Sequence, residues 1–297
     1  MAVPNLEILD VEKLIPNGTV IGSPLRGGQK QVYPCIINGK KEAAKFFLLI
    51  DDLRNRNDIN RDTIDGVTAR ARREIFTMKQ INSPYVVKLG SIEPQIKIYS
   101  NQLLLYYTEE WIDGNNLENL LKVHDKLPYK EVVKICIDIV KAIESIWCLN
   151  IIHRDVKPAN ISQRSTGEYV LLDLGVAYDL EAESLTEVSC IAGTPQFYSP
   201  EQLDLSNKRN LDFRSDIFSL GIVAYKAMIG AHPFCDDNTT KDELIWNIAH
   251  KQVQRLNEID SSIPKEVSDI VYRMLNKNPN ERYRKCKFLI DALNSTL

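Results

Sequence analysis

His153-Arg154-Asp155-Val156-Lys157-Pro158-Ala159-Asn160 is followed downstream by Asp173-Leu174-Gly175. These two stretches decide the reading of the chain. They supply a carboxylate able to receive a hydroxyl proton (Asp155) and a lysine two residues on (Lys157). They also supply two oxygen-bearing side chains, Asn160 and Asp173, suited to a hard divalent cation. Transfer of a terminal phosphoryl group from a nucleotide to an alcohol needs these parts. Its transition state is loose and carries charge on the transferred group, so positioning counts for more than proton pull.

The bulk numbers fit such a machine. The chain has 297 residues, 44% hydrophobic and 26% charged, enough for a substantial core and for two lobes rather than one. A net charge of −3 gives no basic footprint, so nucleic acid is not an expected partner. Cys35, Cys136, Cys148, Cys190, Cys235 and Cys286 form no C-x-x-C pair, which argues for reduced thiols rather than zinc or disulfides. Met1 to Glu7 has neither a cationic region nor an apolar signal core. No segment approaches the roughly 18 uncharged apolar residues of a membrane span. The expected location is the cytoplasm.

Periodicity divides the chain. Val32 to Ile37 and Glu42 to Leu49 read as strands flanking Asn38-Gly39, a hairpin signal because both turn positions must adopt left-handed conformations. Arg61 to Ile81 reads as a helix, with Ile75, Met78 and Ile81 at helical spacing, and Gln102 to Glu110 as a further strand. From Asn116 the period changes. Val132, Val133, Cys136, Ile139, Val140, Ile143, Ile146 and Trp147 mark one long amphipathic helix. Asp216 to Ile229 is apolar on nearly all sides, which predicts a buried central helix. Three more helical patterns follow, near 241–250, 264–276 and 283–296.

In this order the motifs resemble a eukaryotic-type (Hanks-type) protein serine/threonine kinase catalytic domain, from about Thr19 to the C-terminus. The resemblance implies an α+β, two-lobed protein-kinase-like fold in a single domain. A small antiparallel β-rich N-lobe with one main helix, residues 1–112, would cover the nucleotide. A large, mostly α-helical C-lobe, residues 113–297, would carry the catalytic loop, activation segment and substrate platform. The implied reaction moves the γ-phosphoryl group of ATP onto Ser/Thr hydroxyls of protein substrates, with Mg2+ or alternatively Mn2+ as cofactor. Self-association for autophosphorylation in trans is a further expectation.

The resemblance also assigns roles. Asp155 is the catalytic base, Lys157 neutralises charge on the transferred group, and Asn160 and Asp173 are the metal ligands. Lys45, in Glu42-Ala43-Ala44-Lys45, matches the lysine that holds the α- and β-phosphates, and Glu74 matches its carboxylate partner. Glu42 is a weaker candidate for that partner. The gap from Lys45 to Glu74 is longer than the family's usual spacing, and the extra length lies in Asp51 to Asp65. That stretch reads as a solvated loop, with a docking element as the alternative. Gly27, Gly28 and Val32 fall in the nucleotide-covering loop, although Leu25 and Lys30 replace its outer glycines. Ala43 leaves room for adenine. Glu110 and Ile112 belong to the hinge, Asn116 lies just beyond it, and Ser162 falls where an apolar residue normally floors the adenine. Glu109 occupies another position that is usually apolar or small. A carboxylate there must be solvated, or paired with a nearby lysine.

Gly193-Thr194-Pro195-Gln196-Phe197-Tyr198-Ser199-Pro200-Glu201 resembles the end of an activation segment, with Thr194 directed at Asp155 and Lys157. Glu201 has a matching partner in Arg282, and Asp216 matches the aspartate that braces the catalytic loop. Thr186, Ser189 and Ser184 are candidate phosphosites that Arg154 would bind, against the plain reading of ordinary loop hydroxyls. Met78, Leu89, His153 and Leu174 fit either a stacked apolar spine or plain core. His124, His232 and His250 carry no partner pattern and read as structural. Two rivals stay open: a kinase-like nucleotide-binding scaffold (a pseudokinase) and a small-molecule phosphotransferase.

Overall fold

The computed structural model describes residues 4–26, 30–50, 79–173, 195–203 and 211–297. They fall into two compact units. The first holds the chain up to Asn82 and Val87–Ile112; the second holds Ser83–Val86 and the described chain from Asp113 on.

The first unit opens with helix α1 (Ile8–Leu14), whose N-terminus is closed by a reciprocal capping box between Glu7 and Asp10. Strands β1 (Gly18–Val20), β2 (Leu25–Arg26), β3 (Lys30–Ile37), β4 (Lys40–Ile50), β5 (Gln95–Tyr99) and β6 (Gln102–Glu110) follow. They form one antiparallel sheet in the order β1-β3-β4-β6-β5, with β2 pairing β3. The β3–β4 hairpin turns at Asn38 (φ 50°) and Gly39 (φ 79°), the two left-handed positions the sequence demands. That turn fixes Ile37 opposite Lys40 and carries the register along to Val32 opposite Lys45.

Alternation then gives the sheet two faces. On one, Tyr33, Cys35, Ile37, Ala44, Phe46, Leu104 and Tyr106 pack into an apolar core with Leu6, Val11, Leu14 and Ile15 from α1 and its flanks. Each large side chain buried there contributes roughly 1.5–3 kcal/mol. Polar tethers fix α1 on this face. Tyr33 donates its hydroxyl to the Leu6 carbonyl, and the buried Gln31 side chain accepts from the Leu6 N–H at 3.2 Å. The other face carries Val32, Ala43, Lys45, Tyr107 and Glu109, paired in register across β3, β4 and β6.

The second unit is mainly helical. Helix α2 (Leu117–His124) is capped by Asn116, and α3 (Tyr129–Trp147) is the long amphipathic helix, burying Val132, Val133, Cys136, Ile139, Val140, Ile143 and Ile146. A hairpin of β7 (Ile161–Gln163) and β8 (Tyr169–Leu171) follows. Next come the short α4 (Pro200–Leu203) and the central α5 (Phe213–Ile229), buried along most of its length. Helices α6 (Lys241–His250), α7 (Leu256–Ile259), α8 (Lys265–Met274) and α9 (Cys286–Asn294) complete it. No helix among the described residues is long and apolar enough to cross a membrane.

The β-then-α order of the sequence is therefore the order of the fold. Several elements had no specific expectation: α1, β1, β2, the edge strand β5, α2, the β7–β8 hairpin, and the short α4 and α7. The predicted helix over 61–81, the 51–65 stretch and Met78 lie outside the described residues, except that 79–81 are turn and coil rather than helix.

Candidate active site

The catalytic loop is built backward from a buried carboxylate. Asp216 sits in the first turn of α5 and is only 2% exposed. Its Oδ2 accepts the His153 N–H at 2.9 Å, and its Oδ1 accepts the Arg154 N–H at 2.8 Å. Arg154 has φ 65°, a left-handed conformation that costs a non-glycine residue on the order of 1 kcal/mol or more. The two bonds to Asp216 hold the chain in that kink. Burial holds the Asp216 carboxyl above its ordinary value, an effect that His153 and the backbone N–H groups of His153 and Arg154 offset only in part.

Downstream of the kink the polar groups converge. Asn160 Nδ2 donates to Asp155 Oδ2 at 2.8 Å and to the Asp155 carbonyl at 2.9 Å. Lys157 Nζ lies 2.8 Å from the same Oδ2. Among the described residues, both of these contacts to the carboxylate fall on Oδ2. A short 3-10 turn, Pro158–Asn160, makes these contacts possible by folding Asn160 back onto Asp155.

Asp173 is placed by its neighbour Leu172. The Leu172 N–H donates to the Asn160 carbonyl at 2.8 Å, and the Leu172 carbonyl accepts from His153 Nε2 at 2.8 Å. His153 Nδ1 accepts from the Asp155 N–H at 3.3 Å, so Nε2 carries the ring hydrogen. Asp173 itself has φ 59°. Asp155, Lys157 and Asn160 thus meet in one loop cluster, and Asp173 directly follows Leu172, which is bonded to Asn160 and His153. The donor set fits a hard cation. Asn160 spends its amide nitrogen on Asp155, which would leave its amide oxygen for a cation, and Asp173 would add a carboxylate.

The surrounding platform is held by charge. Glu201 and the fully buried Arg282 form a two-pronged pair, Nη1 to Oε1 at 2.6 Å and Nη2 to Oε2 at 2.9 Å. Burial alone would raise the Glu201 carboxyl, but Arg282 and Ser215 bring it below its ordinary value. Arg282 also donates to the carbonyls of Arg214, Asn276 and Lys277. Gln202, not singled out from the sequence, ties this platform to the kink. It donates to the Arg154 carbonyl at 3.1 Å and accepts from the Ser199 N–H at 3.0 Å. His232 is structural, as its lack of a partner pattern implied: Nε2 donates to the Gln196 carbonyl at 2.9 Å.

In the first unit, Lys45 and Glu109 meet as an ion pair, with relative exposures of 5% and 2%. Register explains it. Ala43 lies opposite Glu109, so Lys45, two residues along β4, shares that face and reaches Glu109 diagonally. Of the two options open for this carboxylate, the structure therefore shows pairing. Glu42 points to the opposite face and accepts from the Ser91 N–H at 2.8 Å, which removes it from the surroundings of Lys45. Val32 and Ala43 flank Lys45 on its own face. Glu110 accepts from the Lys88 N–H at 2.8 Å, and Ile112 lies in the coil after β6.

In the second unit the Asn116 side chain accepts from the Asn119 N–H at 2.8 Å, and Ser162 is buried with its hydroxyl 3.4 Å from the Gly114 carbonyl. Any side chain at Gly114 would overlap the Gln163 carbonyl, so glycine is required there. Gly27, Gly28, Glu74, Leu174, Thr194 and the candidate phosphosites Ser184, Thr186 and Ser189 lie outside the described residues.

Comparison with known proteins agrees with this geometry. A probable serine/threonine-protein kinase of Clostridium perfringens is 28% identical over 267 residues, which cover 90% of this chain and 36% of that protein. Serine/threonine-protein kinase PknB of Mycobacterium leprae is 30% identical over 237 residues, 77% of this chain and 36% of that protein. The chain thus spans little more than a third of the length of these relatives. The crystal structure of the Mycobacterium tuberculosis PknI kinase domain matches with a TM-score of 0.67 at 20% identity, covering 95% of this chain and 97% of that one, a likeness of fold. The family model of the protein kinase domain matches residues 22–292, nearly the whole length, and the chain belongs to that family.

Proposed function

We propose that the chain is a Mg-ATP-dependent protein serine/threonine kinase that also phosphorylates its own activation segment. The observation that carries this reading is the clustering of Lys157 and Asn160 on one oxygen of Asp155. In the proposed reaction Asp155 orients a substrate hydroxyl and receives its proton. Lys157 offsets charge on the transferred group. Asn160 and Asp173 would hold Mg2+, which when bound neutralises charge on the nucleotide's phosphates; Mn2+ takes the same oxygen donors. Lys45 would hold the α- and β-phosphates. The serine/threonine assignment rests on Lys157 in the catalytic loop and on the names of the two relatives. Protein substrates follow from the Glu201–Arg282 platform, which a small-molecule phosphotransferase has no need to build.

A nucleotide-binding scaffold is the second reading, favoured by Glu109 facing Lys45. The deciding experiment incubates the protein with γ-labelled ATP and Mg2+, with and without a generic protein acceptor, beside Asp155→Asn. Label on serine and threonine of the acceptor, and on Thr186, Ser189 or Ser184 of the chain itself, is the expected result. Nucleotide binding without transfer would establish the scaffold instead.

A further inference from the structure

Lys45 has a partner that is fixed on the same sheet. The pair forms between adjacent strands whose register is set by the Asn38-Gly39 turn and by continuous β4–β6 pairing from Glu42 to Leu48. Both side chains are almost fully buried, so neither can trade its partner for water without a large desolvation cost. An ammonium has three donors. A bond to Glu109 therefore does not by itself exhaust what the ammonium can offer to phosphate oxygens. Val32 and Ala43 occupy the same face of the sheet as Lys45.

We propose that Glu109 is a positioning residue for nucleotide phosphates: it holds the Lys45 ammonium in place from within the sheet. This inference rests on the proposed function, because it supposes that Lys45 meets a nucleotide. Lys45 then has a sheet-borne anchor whatever the state of the helix predicted to carry Glu74. A position that in this family is usually apolar or small is here made part of the phosphate-binding apparatus.

The test is a double-mutant cycle on the whole chain with Mg-ATP as the probe. Glu109→Gln keeps the shape and removes the charge; Glu109→Asp keeps the charge. Glu109→Gln should weaken Mg-ATP binding and raise KM for ATP about tenfold, leaving kcat within about threefold, which corresponds to one lost charge-assisted contact. Glu109→Asp should recover part of the affinity. In a Lys45→Met background, Glu109→Gln should change nucleotide affinity less than twofold, because its effect passes through Lys45.

A second readout needs no activity. Lys45→Met removes the cation that the structure pairs with the buried Glu109 and should lower Tm by about 6 °C or more, and adding Glu109→Gln should return part of that loss. Equal effects of Glu109→Gln in both backgrounds, or a Lys45→Met/Glu109→Gln chain no more stable than Lys45→Met, would overturn the inference and leave the proposed function standing. Failure of the unaltered chain to bind Mg-ATP would remove the proposed function and this inference with it.

Discussion

The two units fix their functional side chains by opposite means. In the second unit the catalytic loop is irregular backbone, and buried ions hold it: Asp216 grips two consecutive N–H groups, and Arg282 gathers Glu201 and three carbonyls. In the first unit the backbone is regular sheet. Strand register sets Lys45, and an apolar layer under α1 stiffens the sheet from behind. An irregular loop has no ladder of its own to satisfy its backbone groups, so charged side chains must do it. A sheet satisfies its backbone internally and can spend its side chains on packing.

The contrast predicts where each unit breaks. The largest effect should come from Arg282→Met, which strands Glu201 as a buried unpaired charge. We expect a loss of about 3–5 kcal/mol in urea unfolding, partly recovered by adding Glu201→Gln. An effect below about 1 kcal/mol would mean that the platform does not depend on its ion pair. Next is Asp216→Asn, which replaces one charged acceptor of the kinked loop by an amide nitrogen that cannot accept. It should cost about 1.5–3 kcal/mol and lower phosphoryl transfer, with ATP affinity unchanged. Its counterpart in the first unit, Tyr33→Phe, removes one neutral hydrogen bond between the sheet and the segment before α1. The expected loss is about 0.5–1.5 kcal/mol, read by thermal or urea unfolding. A larger cost for Tyr33→Phe than for Asp216→Asn would invert the comparison.

The smallest effect at neutral pH concerns His232. Burial pushes its ring down to about 4, against the opposing bond to the Gln196 carbonyl. Well above the ordinary histidine value of 6.5 the ring is neutral folded and unfolded alike and adds no pH dependence. Between the ordinary histidine range and about 4 the unfolded chain takes up a proton that the folded chain refuses, so stability falls as pH falls through that window. The stability profiles of the unaltered chain and of His232→Asn, compared by urea midpoints, should therefore lose their parallelism only on the acid side.

Sequence made the second unit more legible than the first. Asp155, Lys157 and Asn160 lie within six positions, so one short loop brings them together and their spacing is visible in the chain. The long helix and the central helix were legible because their apolar periods extend over many turns. The Lys45–Glu109 pair was legible only as an alternative. Choosing it over solvation requires the β4–β6 register, and that is set by pairings far apart in sequence. Helix α1 escaped notice because it has only seven residues and two of its apolar side chains, Ile8 and Leu9, face solvent. Its local signal was the Glu7–Asp10 capping box, which uses acidic residues at both ends in place of the more familiar serine or threonine. Strand β5 lies at the sheet edge with none of its five residues buried, and its Gln-Ile-Lys-Ile-Tyr alternation is too short to stand out.

The most direct test measures single-turnover phosphoryl transfer from Mg-ATP in the unaltered chain and in Asp155→Asn, with nucleotide affinity measured alongside. If Asp155 orients and receives the hydroxyl proton, the variant should bind Mg-ATP within about threefold of normal and transfer phosphate about 10²–10⁴-fold more slowly. Equal transfer rates in the two proteins would contradict the account at its centre.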